Sequence, residues 1–576
     1  MENQAPTITV DFDVPAQMRD GTILRANIYR PVGDGRWPVL LTRLPYGKDF
    51  PLGSAVLDPV QAARHGYVVI VQDTRGTNAS DGEWYPLRPE SEDGVDTVTW
   101  AADLPFSDGQ VGMYGASYFG HTQWRAAIEK PPALKAMVPF VTWVDPLNGL
   151  SYRGGAFELG VEAYWHLRMG LGVLFRRHRQ NPSVLSQAIR PWAAEFDALG
   201  TAGYSSLPLG EFAPLHRQNV APAFFDSTAA TMDRTRGFNA YANLVGKLDE
   251  VRIPSLNIGG WYDIFLADTI ANFLAMRATG VPTKLLIGPW SHGNQGAPIG
   301  ERNFGFGSQT AFINLQMDLG SLQLRWFDYW LKGIDTGMIE APPIRIFVMG
   351  ANLWRDEQEW PLARAVDTPW HLHEGGELTQ ERPGVEEPDR YVYDPADPVP
   401  TLGGALLMTP EYSAGPYDQR PIEARPDVLR YASQPLEGDT EVTGPITVHL
   451  WACSSAPDTD FVARLVDISP DGRSLNLTDG IVRARYREFP KGQLPSPIEP
   501  GRPYEYVIDL WATSNVFKQG HRIGLQVTSS CFPRWDRNPN TGHLFGADAE
   551  LQVAHQEILH DREHPSCVVL PMVDPA

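Results

Sequence analysis

The stretch GASYFG, residues 115–120, holds a serine between two glycines, after an apolar run and before a run with helical spacing. A serine at such a strand-to-helix turn can act as a nucleophile, because its Oγ is exposed and the helix N-terminus favours a developing oxyanion. Small neighbours let the strand and the helix approach closely. The usual spacing is G-x-S-x-G, whereas Gly120 comes one position late. Ser117 is therefore a candidate nucleophile, with an ordinary glycine turn as the alternative.

A nucleophilic serine needs a histidine as base and a carboxylate that orients the histidine. Asp263 comes just past the apolar run SLNIGGWY, and His292 comes just past the run LLIGPWS. The chain order serine, acid, histidine is that of one group of serine hydrolases. A helix cap for Asp263 and a loop position for His292 are the alternatives, but both residues fall where a triad requires them. We predict a Ser117–His292–Asp263 triad.

An oxyanion in such a site needs two hydrogen-bond donors. The backbone N–H of Tyr118 is one by its position after the serine. The segment LTRLPYGKDF, residues 41–50, follows an early predicted strand and offers the hydroxyl of Tyr46 as the second. A tyrosine that only packs in the loop is the alternative.

Aromatic residues near the predicted triad could line a substrate pocket, although core packing is the alternative for each of them. These residues are Trp143, Trp165, Trp261, Tyr262 and Phe265.

Several charged residues have a structural interpretation that we favour. We expect Glu158 and Glu162, at i and i+4, to form a solvated helix face. If they faced Ser117 instead, they could bind a substrate ammonium group. We expect His121 to be a packed core residue, and Asp73, Arg75, Asp81 and Glu83 to form a network of loop ion pairs.

The elements around these residues predict an α/β domain, because short β-branched runs such as WPVLLTR and HGYVVIVQD alternate with stretches of helical spacing. Residues 146–240 lack good strands and predict an inserted helical cap. After residue 354 many short strands separated by turn residues predict a β-sandwich of the jelly-roll type. The predicted domains are a catalytic domain (1–145 and 241–353), the cap (146–240) and the β domain (354–576).

Composition excludes several other classes of protein. The net charge is 48 − 69 = −21, which disfavours nucleic acid and anionic membranes as partners. The three cysteines form no CxxC motif, so neither a zinc site nor a disulfide framework is expected. The start of the chain lacks a signal-peptide pattern, and no run approaches the ~18 apolar residues of a membrane span. We expect a soluble, cytoplasmic protein.

Longer motifs extend this interpretation to a family. The chain resembles the cocaine esterase family of serine hydrolases, which are relatives of the Xaa-Pro dipeptidyl-peptidases. The motifs that carry the resemblance are LPYGK, QDTRGTNASDGEW, DGQVGMYGASYFGHTQW, GGWYDIF, GPWSHGN, FVMGANLWRDEQEWP, YDPADPVPTLGG, DTDFVARLVDISPDGRS and LWATSNVFKQGHRI. It implies an α/β-hydrolase fold with a helical cap and a jelly roll. It also implies Ser117 as nucleophile, Asp263 as acid, His292 as base and Tyr46 with the Tyr118 N–H as oxyanion hole.

The resemblance further implies that Leu407 and Met408 reach the site from the jelly roll, that no metal or organic cofactor is used, and that the chain forms homo-oligomers. We expect a serine carboxylesterase that acts on a small-molecule ester with an aromatic or bulky acyl group through an acyl-enzyme. An aminopeptidase or acylase, of the dipeptidyl-peptidase, α-amino-acid ester hydrolase or glutaryl acylase kind, is the alternative. A catalytically silent carbohydrate-binding protein is a third hypothesis, disfavoured by the complete predicted triad.

Overall fold

The computed structural model describes residues 7–574, except for the side chains of residues 52–54. The two outer ends of the predicted domains, residues 1–6 and 575–576, lie outside the described residues.

The N-terminal part alternates strands and helices, as predicted. Its strands are β1 (Ile8–Gln17), β2 (Ile23–Pro31), β3 (Trp37–Leu44), β4 (Val68–Asp73), β5 (Ser107–Ala116) and β6 (Leu134–Phe140). Its helices are α1 (Pro51–Val56), α2 (Pro59–Arg64), α3 (Glu90–Ala102) and α4 (Tyr118–Ala127). Helix α4 ends shortly before Pro131-Pro132, where a helix cannot continue.

The helical cap follows, and it begins with a short hairpin that the sequence analysis missed. Its elements are β7 (Tyr152–Arg153), β8 (Ala156–Phe157), α5 (Leu159–His178), α6 (Pro182–Leu199), α7 (Ala213–His216), α8 (Pro222–Ala230) and α9 (Gly237–Ala242). Phe157 belongs to β8, and the first cap helix begins two residues after it. The side chain of Asn181 caps α6 by accepting a hydrogen bond from the N–H of Val184.

The chain then returns to the first sheet. These elements are β9 (Ser255–Tyr262), α10 (Leu266–Ala278), β10 (Thr283–Ser291), α11 (Leu319–Lys332), β11 (Ile344–Val348) and β12 (Leu353–Glu357). Helix α11 begins at Leu319 because Asp318 caps it, accepting a hydrogen bond from the N–H of Ser321.

Ten strands form the catalytic sheet in the order β1-β2-β4-β3-β5-β6-β9-β10-β11-β12. The strands from β4 to β11 in that order are parallel, and the outer ones are antiparallel. Adjacent residues of β3 face opposite cores: Leu40 packs with Phe327 of α11, and Leu41 packs with Trp124 of α4. Helices thus cover both faces, which explains why β4 is buried along its whole length.

The C-terminal part is a β domain with one short helix, α12 (Arg420–Glu423). Its strands are β13 (Ala365–His373), β14 (Glu377–Thr379), β15 (Asp389–Tyr393), β16 (Leu429–Ala432), β17 (Thr440–Ser454), β18 (Asp460–Ile468), β19 (Ser474–Arg483), β20 (Tyr504–Phe517), β21 (Arg522–Thr528), β22 (Ala554–Leu559) and β23 (Cys567–Val573). The pairing is almost entirely antiparallel around one apolar core. The segment SPDGR joins the antiparallel strands β18 and β19 as a hairpin loop.

Within residues 7–574, no helix is both long enough and apolar enough to cross a membrane.

Candidate active site

Ser117 lies at the turn between β5 and α4, and its backbone is in a rare conformation for a residue with a side chain. Its φ of 55° and ψ of −124° fall outside the regions that L-residues normally adopt. Two contacts hold it there. Its N–H donates to the carbonyl of Phe140 at 2.9 Å, and its own carbonyl accepts from the Thr142 hydroxyl at 2.8 Å. Strain that neighbouring strands maintain in this way is typical of functional turns.

The glycines on either side explain the unusual spacing of the motif. A Cβ atom at Gly115 would lie 2.3 Å from the ring of Phe119, and one at Gly120 would lie 2.7 Å from Cβ of Thr142. Gly120 is needed because α4 passes against the segment after β6, so the space requirement falls one residue later than in the usual pattern.

Asp263 and His292 follow the adjacent parallel strands β9 and β10, so both reach the same edge of the sheet as Ser117. His292 Nε2 lies 3.0 Å from the Oγ of Ser117, and His292 Nδ1 lies 2.7 Å from Oδ2 of Asp263. The other oxygen of Asp263 accepts from the N–H of Phe265 at 2.8 Å. Asp263 is fully buried. The carboxylate therefore orients the imidazole toward the serine while its second oxygen is also bound.

Tyr46 lies in the loop after β3, with its hydroxyl at the same place. The indole N–H of Trp165, from α5, donates to that hydroxyl at 3.1 Å. Burial raises the pKa of Tyr46, and hydrogen bonds with Trp165 and Ser117 oppose the shift. The hydroxyl is thus a protonated donor close to the Ser117 Oγ.

The other predicted donor, the backbone N–H of Tyr118, is the first N–H of helix α4. The Tyr118 hydroxyl donates to Oε1 of Glu90 at 2.8 Å and accepts from the N–H of Leu87 at 2.9 Å. Glu90 is itself paired with Arg43 at 2.8 Å in the buried interior. This network fixes the residue that carries the backbone donor.

A cavity opens at Ser117, and the space between its walls, including the part open to solvent, is about 420 Å³. Its walls are mostly apolar and come from all three parts of the chain. They are formed by Tyr46, Leu87, Ser117, Tyr118, Trp143, Leu150, Val161, Glu162, Trp165, His166, Phe238, Phe265 and Leu407. The structure thus brings together Trp143, Trp165, Phe265 and Leu407 of the predicted pocket residues.

Three residues considered for the pocket lie elsewhere. Trp261 packs against Trp360 and donates its indole N–H to the carbonyl of Phe347 at 2.7 Å, so it belongs to the core. Tyr262, weighed with it, donates its hydroxyl to the carbonyl of Asn476 in the β domain. Met408 packs against α5 at Gly160, where an added Cβ would lie 2.7 Å from its sulfur.

Glu158, the residue before α5, and Glu162, in the first turn of α5, do not form a solvated helix face, so that expectation is wrong. Glu158 and Glu162 are each only 3% exposed. Glu158 accepts from the indole N–H of Trp535 at 2.8 Å, at the contact with the β domain. Glu162 lines the cavity, together with His166, which the sequence analysis did not consider. Glu162 lies three residues before Trp165 and four before His166 on α5, and this spacing was the signal in the sequence that these side chains lie close together.

The remaining charged residues mostly have the structural places expected of them. His121 is fully buried, stacks on Trp143 at 4.8 Å, and has a pKa that burial lowers to about 3. Asp73 pairs with Lys48, and Arg75 pairs with Asp20 and Asp93. Asp81 and Glu83 form no ion pair within the described residues, so the expected network of these four residues is reduced to the separate pairs of Asp73 and Arg75.

One group in the described part of the chain has the donor set of a metal site. His543, Asp548 and Glu550 lie within reach of one ion, in a loop of the β domain. These side chains are exposed or half-buried, and none of them lines the cavity at Ser117.

Comparison with known proteins connects this geometry to a family. The profile of the X-Pro dipeptidyl-peptidase (S15 family) matches residues 20–294, and that of the X-Pro dipeptidyl-peptidase C-terminal non-catalytic domain matches residues 336–569. The cocaine esterase of Rhodococcus sp. (strain MB1 Bresler) is 39% identical over 98% of this chain and 99% of its own length. The chain belongs to the cocaine esterase family of serine hydrolases. This membership confirms the predicted fold class and the predicted enzyme class, that of the serine carboxylesterases.

Two solved structures share this whole architecture. An aminopeptidase from a marine sediment Thaumarchaeota archaeon is 26% identical, with a TM-score of 0.79 over 99% of this chain and 97% of its own. An α-amino acid ester hydrolase is 25% identical, with a TM-score of 0.79 over 99% and 98% of the two chains. Members with this fold thus include proteins described as acting on esters and on peptides.

Proposed function

We propose that this family member hydrolyses carboxylic esters with a bulky, largely apolar acyl group, through a covalent acyl-serine. The observation that carries the proposal is the hydrogen-bonded series Asp263–His292–Ser117 at the mouth of an apolar cavity.

In the first half-reaction, the Oγ of Ser117 attacks the ester carbonyl carbon while its proton passes to Nε2 of His292. The Tyr46 hydroxyl and the Tyr118 N–H stabilise the oxyanion of the tetrahedral intermediate. Its collapse breaks the carbon–oxygen bond, and the leaving alcohol takes the proton from Nε2. Asp263 holds the imidazole in the required tautomer and stabilises its charged form.

In the second half-reaction, water attacks the acyl-serine and gives a proton to Nε2 of His292. The second tetrahedral intermediate collapses, the carboxylic acid leaves, and Ser117 recovers its proton.

The position of the cavity indicates which part of the substrate it receives. The leaving group must lie against Nε2 of His292, because that atom protonates it. His292 does not line the cavity, whereas both oxyanion donors do. The cavity therefore receives the acyl part, and its aromatic walls Trp143, Phe238 and Phe265 favour a bulky apolar group.

Steady-state hydrolysis of p-nitrophenyl esters beside amino-acyl and Gly-Pro p-nitroanilides tests the proposal. We expect ester turnover that rises from acetyl to phenylacetyl and that Ser117→Ala abolishes, with the anilides inert. Anilide cleavage as efficient as ester cleavage would favour the aminopeptidase alternative. Ester hydrolysis that persists in Ser117→Ala would refute the assigned nucleophile.

A further inference from the structure

The cavity at Ser117 contains one carboxylate among the described residues that line it, and that carboxylate has an imidazole beside it. Glu162 and His166 lie one turn apart on α5 and are 3% and 4% exposed. Between them is Trp165, whose indole reaches the Tyr46 hydroxyl. The pair therefore lies on the face of α5 that meets the loop after β3, which carries Tyr46.

The hydrogen bonds of the pair leave acceptors without donors. His166 Nδ1 lies 2.9 Å from the backbone carbonyl of Glu162 and 3.1 Å from its carboxylate. A carbonyl oxygen only accepts, so Nδ1 carries a hydrogen, and in the tautomer with that single ring hydrogen Nε2 is an acceptor. Within the described residues, neither carboxylate oxygen of Glu162 nor Nε2 of His166 has a hydrogen-bond partner.

The contrast with Glu158, one turn earlier, shows that this is a property of Glu162 in particular. The carboxylate of Glu158 is equally buried but accepts from Trp535 and lies beside Arg534 and Arg153. Glu158 does not line the cavity. One glutamate therefore joins two domains, while the other faces the space where substrate would lie.

In this tautomer the pair presents acceptors and no donor to the cavity, which defines the chemistry of a matching ligand group. The contact with Nδ1 reaches only Oε2 of Glu162, so the buried carboxylate is short of hydrogen-bond donors, and a ligand that donates to it reduces the cost of its burial. An ammonium group has a positive charge, three N–H donors and no acceptor, whereas a hydroxyl has one donor. A carboxylate or carbonyl on the substrate would be repelled.

We propose that the cavity binds an acyl group that carries an ammonium group, with Glu162 and His166 as its hydrogen-bond acceptors. The inference rests on the proposed function, since that assigns the cavity to the acyl part of the substrate. The apolar walls would surround the hydrocarbon skeleton, and the pair would hold its cationic substituent.

Isosteric p-nitrophenyl esters test the inference. One series is 2-phenylpropanoate, mandelate and phenylglycinate, which place a methyl, a hydroxyl or an ammonium group on one skeleton. A second pair, 4-ethylbenzoate and 4-(aminomethyl)benzoate, places the group at the far end of the acyl part. We expect kcat/KM for the ammonium ester to exceed that for its methyl isostere at least tenfold in one of the two frameworks, with the hydroxyl ester in between.

Two variants localise the effect. Glu162→Gln should reduce the ammonium-to-methyl ratio at least tenfold, because it removes the charge and adds a donor at the same place. Glu158→Gln is the matched control and should keep the wild-type ratio. A wild-type ratio near one in both frameworks, or an unchanged ratio in Glu162→Gln, overturns the inference. The wild-type ratio stands as a test even if the variant fails to fold.

A binding measurement separates this inference from the proposed function. Ser117→Ala is titrated calorimetrically with the acids 4-(aminomethyl)benzoate, 4-ethylbenzoate, phenylglycine and 2-phenylpropanoate. At least tenfold tighter binding of an amine than of its isostere supports the ammonium site whether or not any ester is hydrolysed. Equal binding in both pairs contradicts it. Turnover of the methyl esters alone supports the esterase while refuting the ammonium site.

Discussion

The indole N–H of Trp165 donates to the hydroxyl oxygen of Tyr46 at 3.1 Å, which joins the helical cap to the loop after β3. Because the hydroxyl oxygen accepts this bond, its own hydrogen stays available for the oxyanion of the proposed mechanism. A residue of the cap thus orients a donor of the catalytic domain.

Removing that donor should slow catalysis far more than it weakens binding. We expect Tyr46→Phe to lower kcat by about 10²–10³-fold, as loss of one oxyanion donor does elsewhere, with a smaller change in KM. Trp165→Phe keeps an aromatic ring but removes the orienting bond, and should lower kcat ~5–10-fold, the effect of one hydrogen bond. Steady-state kinetics on a p-nitrophenyl ester measure both. Tyr46→Phe with more than a third of the wild-type kcat would remove Tyr46 from the oxyanion hole.

The orienting role of Asp263 has its own kinetic consequence. Asp263→Asn keeps the size of the side chain but favours the wrong tautomer of His292, so kcat should fall by about 10⁴-fold. Ser117→Ala combined with Asp263→Asn should be no slower than Ser117→Ala alone, because the three residues act as a unit. Burst and steady-state measurements on the same ester report both effects. Additive losses would mean that Asp263 acts outside the triad.

The glycine after the serine should be irreplaceable for reasons of space. In Gly120→Ala the new methyl group would meet Thr142, and we expect a loss of about 1–3 kcal/mol of stability, as in other overpacked sites, together with lower kcat. Gly172→Ala is a matched control in another helix, since a Cβ there meets nothing within 4 Å. The control should gain up to ~1 kcal/mol from helix propensity. Chemical denaturation of the two variants and the wild type measures the free energies of unfolding. Equal values for the three proteins would contradict the packing argument.

Glu158 should make stability depend on pH in a defined interval. Burial raises its pKa from 4.5 to about 7, while Arg534 and Arg153 oppose the shift. The folded protein therefore binds more protons than the unfolded chain between these values. This group adds stability as the pH falls from 7 to 4.5, and the contribution is lost as the pH rises through 7.

Glu158→Gln should remove that contribution, which amounts to at most about 3 kcal/mol over the interval. Melting temperatures of the wild type and the variant from pH 4.5 to 8 should differ in slope, because the wild type loses more stability than the variant as the pH rises. Asp268, whose pKa burial also raises to about 7, is present in both proteins and cancels in the comparison. Parallel curves would show that Glu158 titrates normally.

The positions of the three proposed triad residues were predictable because each one follows a buried strand. Ser117, Asp263 and His292 come directly after β5, β9 and β10, and parallel strands bring their carboxyl ends to one edge whatever the intervening sequence. The assignment therefore needed only the apolar runs and their order. The late glycine, which departs from the usual pattern, has its reason in the contact between α4 and Thr142, which no local sequence pattern encodes.

The pocket was less predictable because it depends on which face each residue presents to a distant element. Leu407 and Met408 are neighbours, yet one lines the cavity and the other packs on Gly160 of the cap. Trp261 and Phe265 lie near the same strand end, and only Phe265 reaches the cavity. Glutamate is a residue type typical of solvated helix faces, but Glu162 is buried because residues of the β domain and of the catalytic domain pack against this part of α5.

The walls of the cavity at Ser117 belong to three separate parts of the chain: Tyr46 in the catalytic domain, Trp165 in the cap and Leu407 in the β domain. A substrate bound there contacts all three parts at once and stabilises their association. Occupancy should raise the temperature at which the β domain separates from the rest. We therefore expect hydrolysis to be lost on heating when the β domain separates from the catalytic domain and the cap, at a temperature below that at which either sheet unfolds.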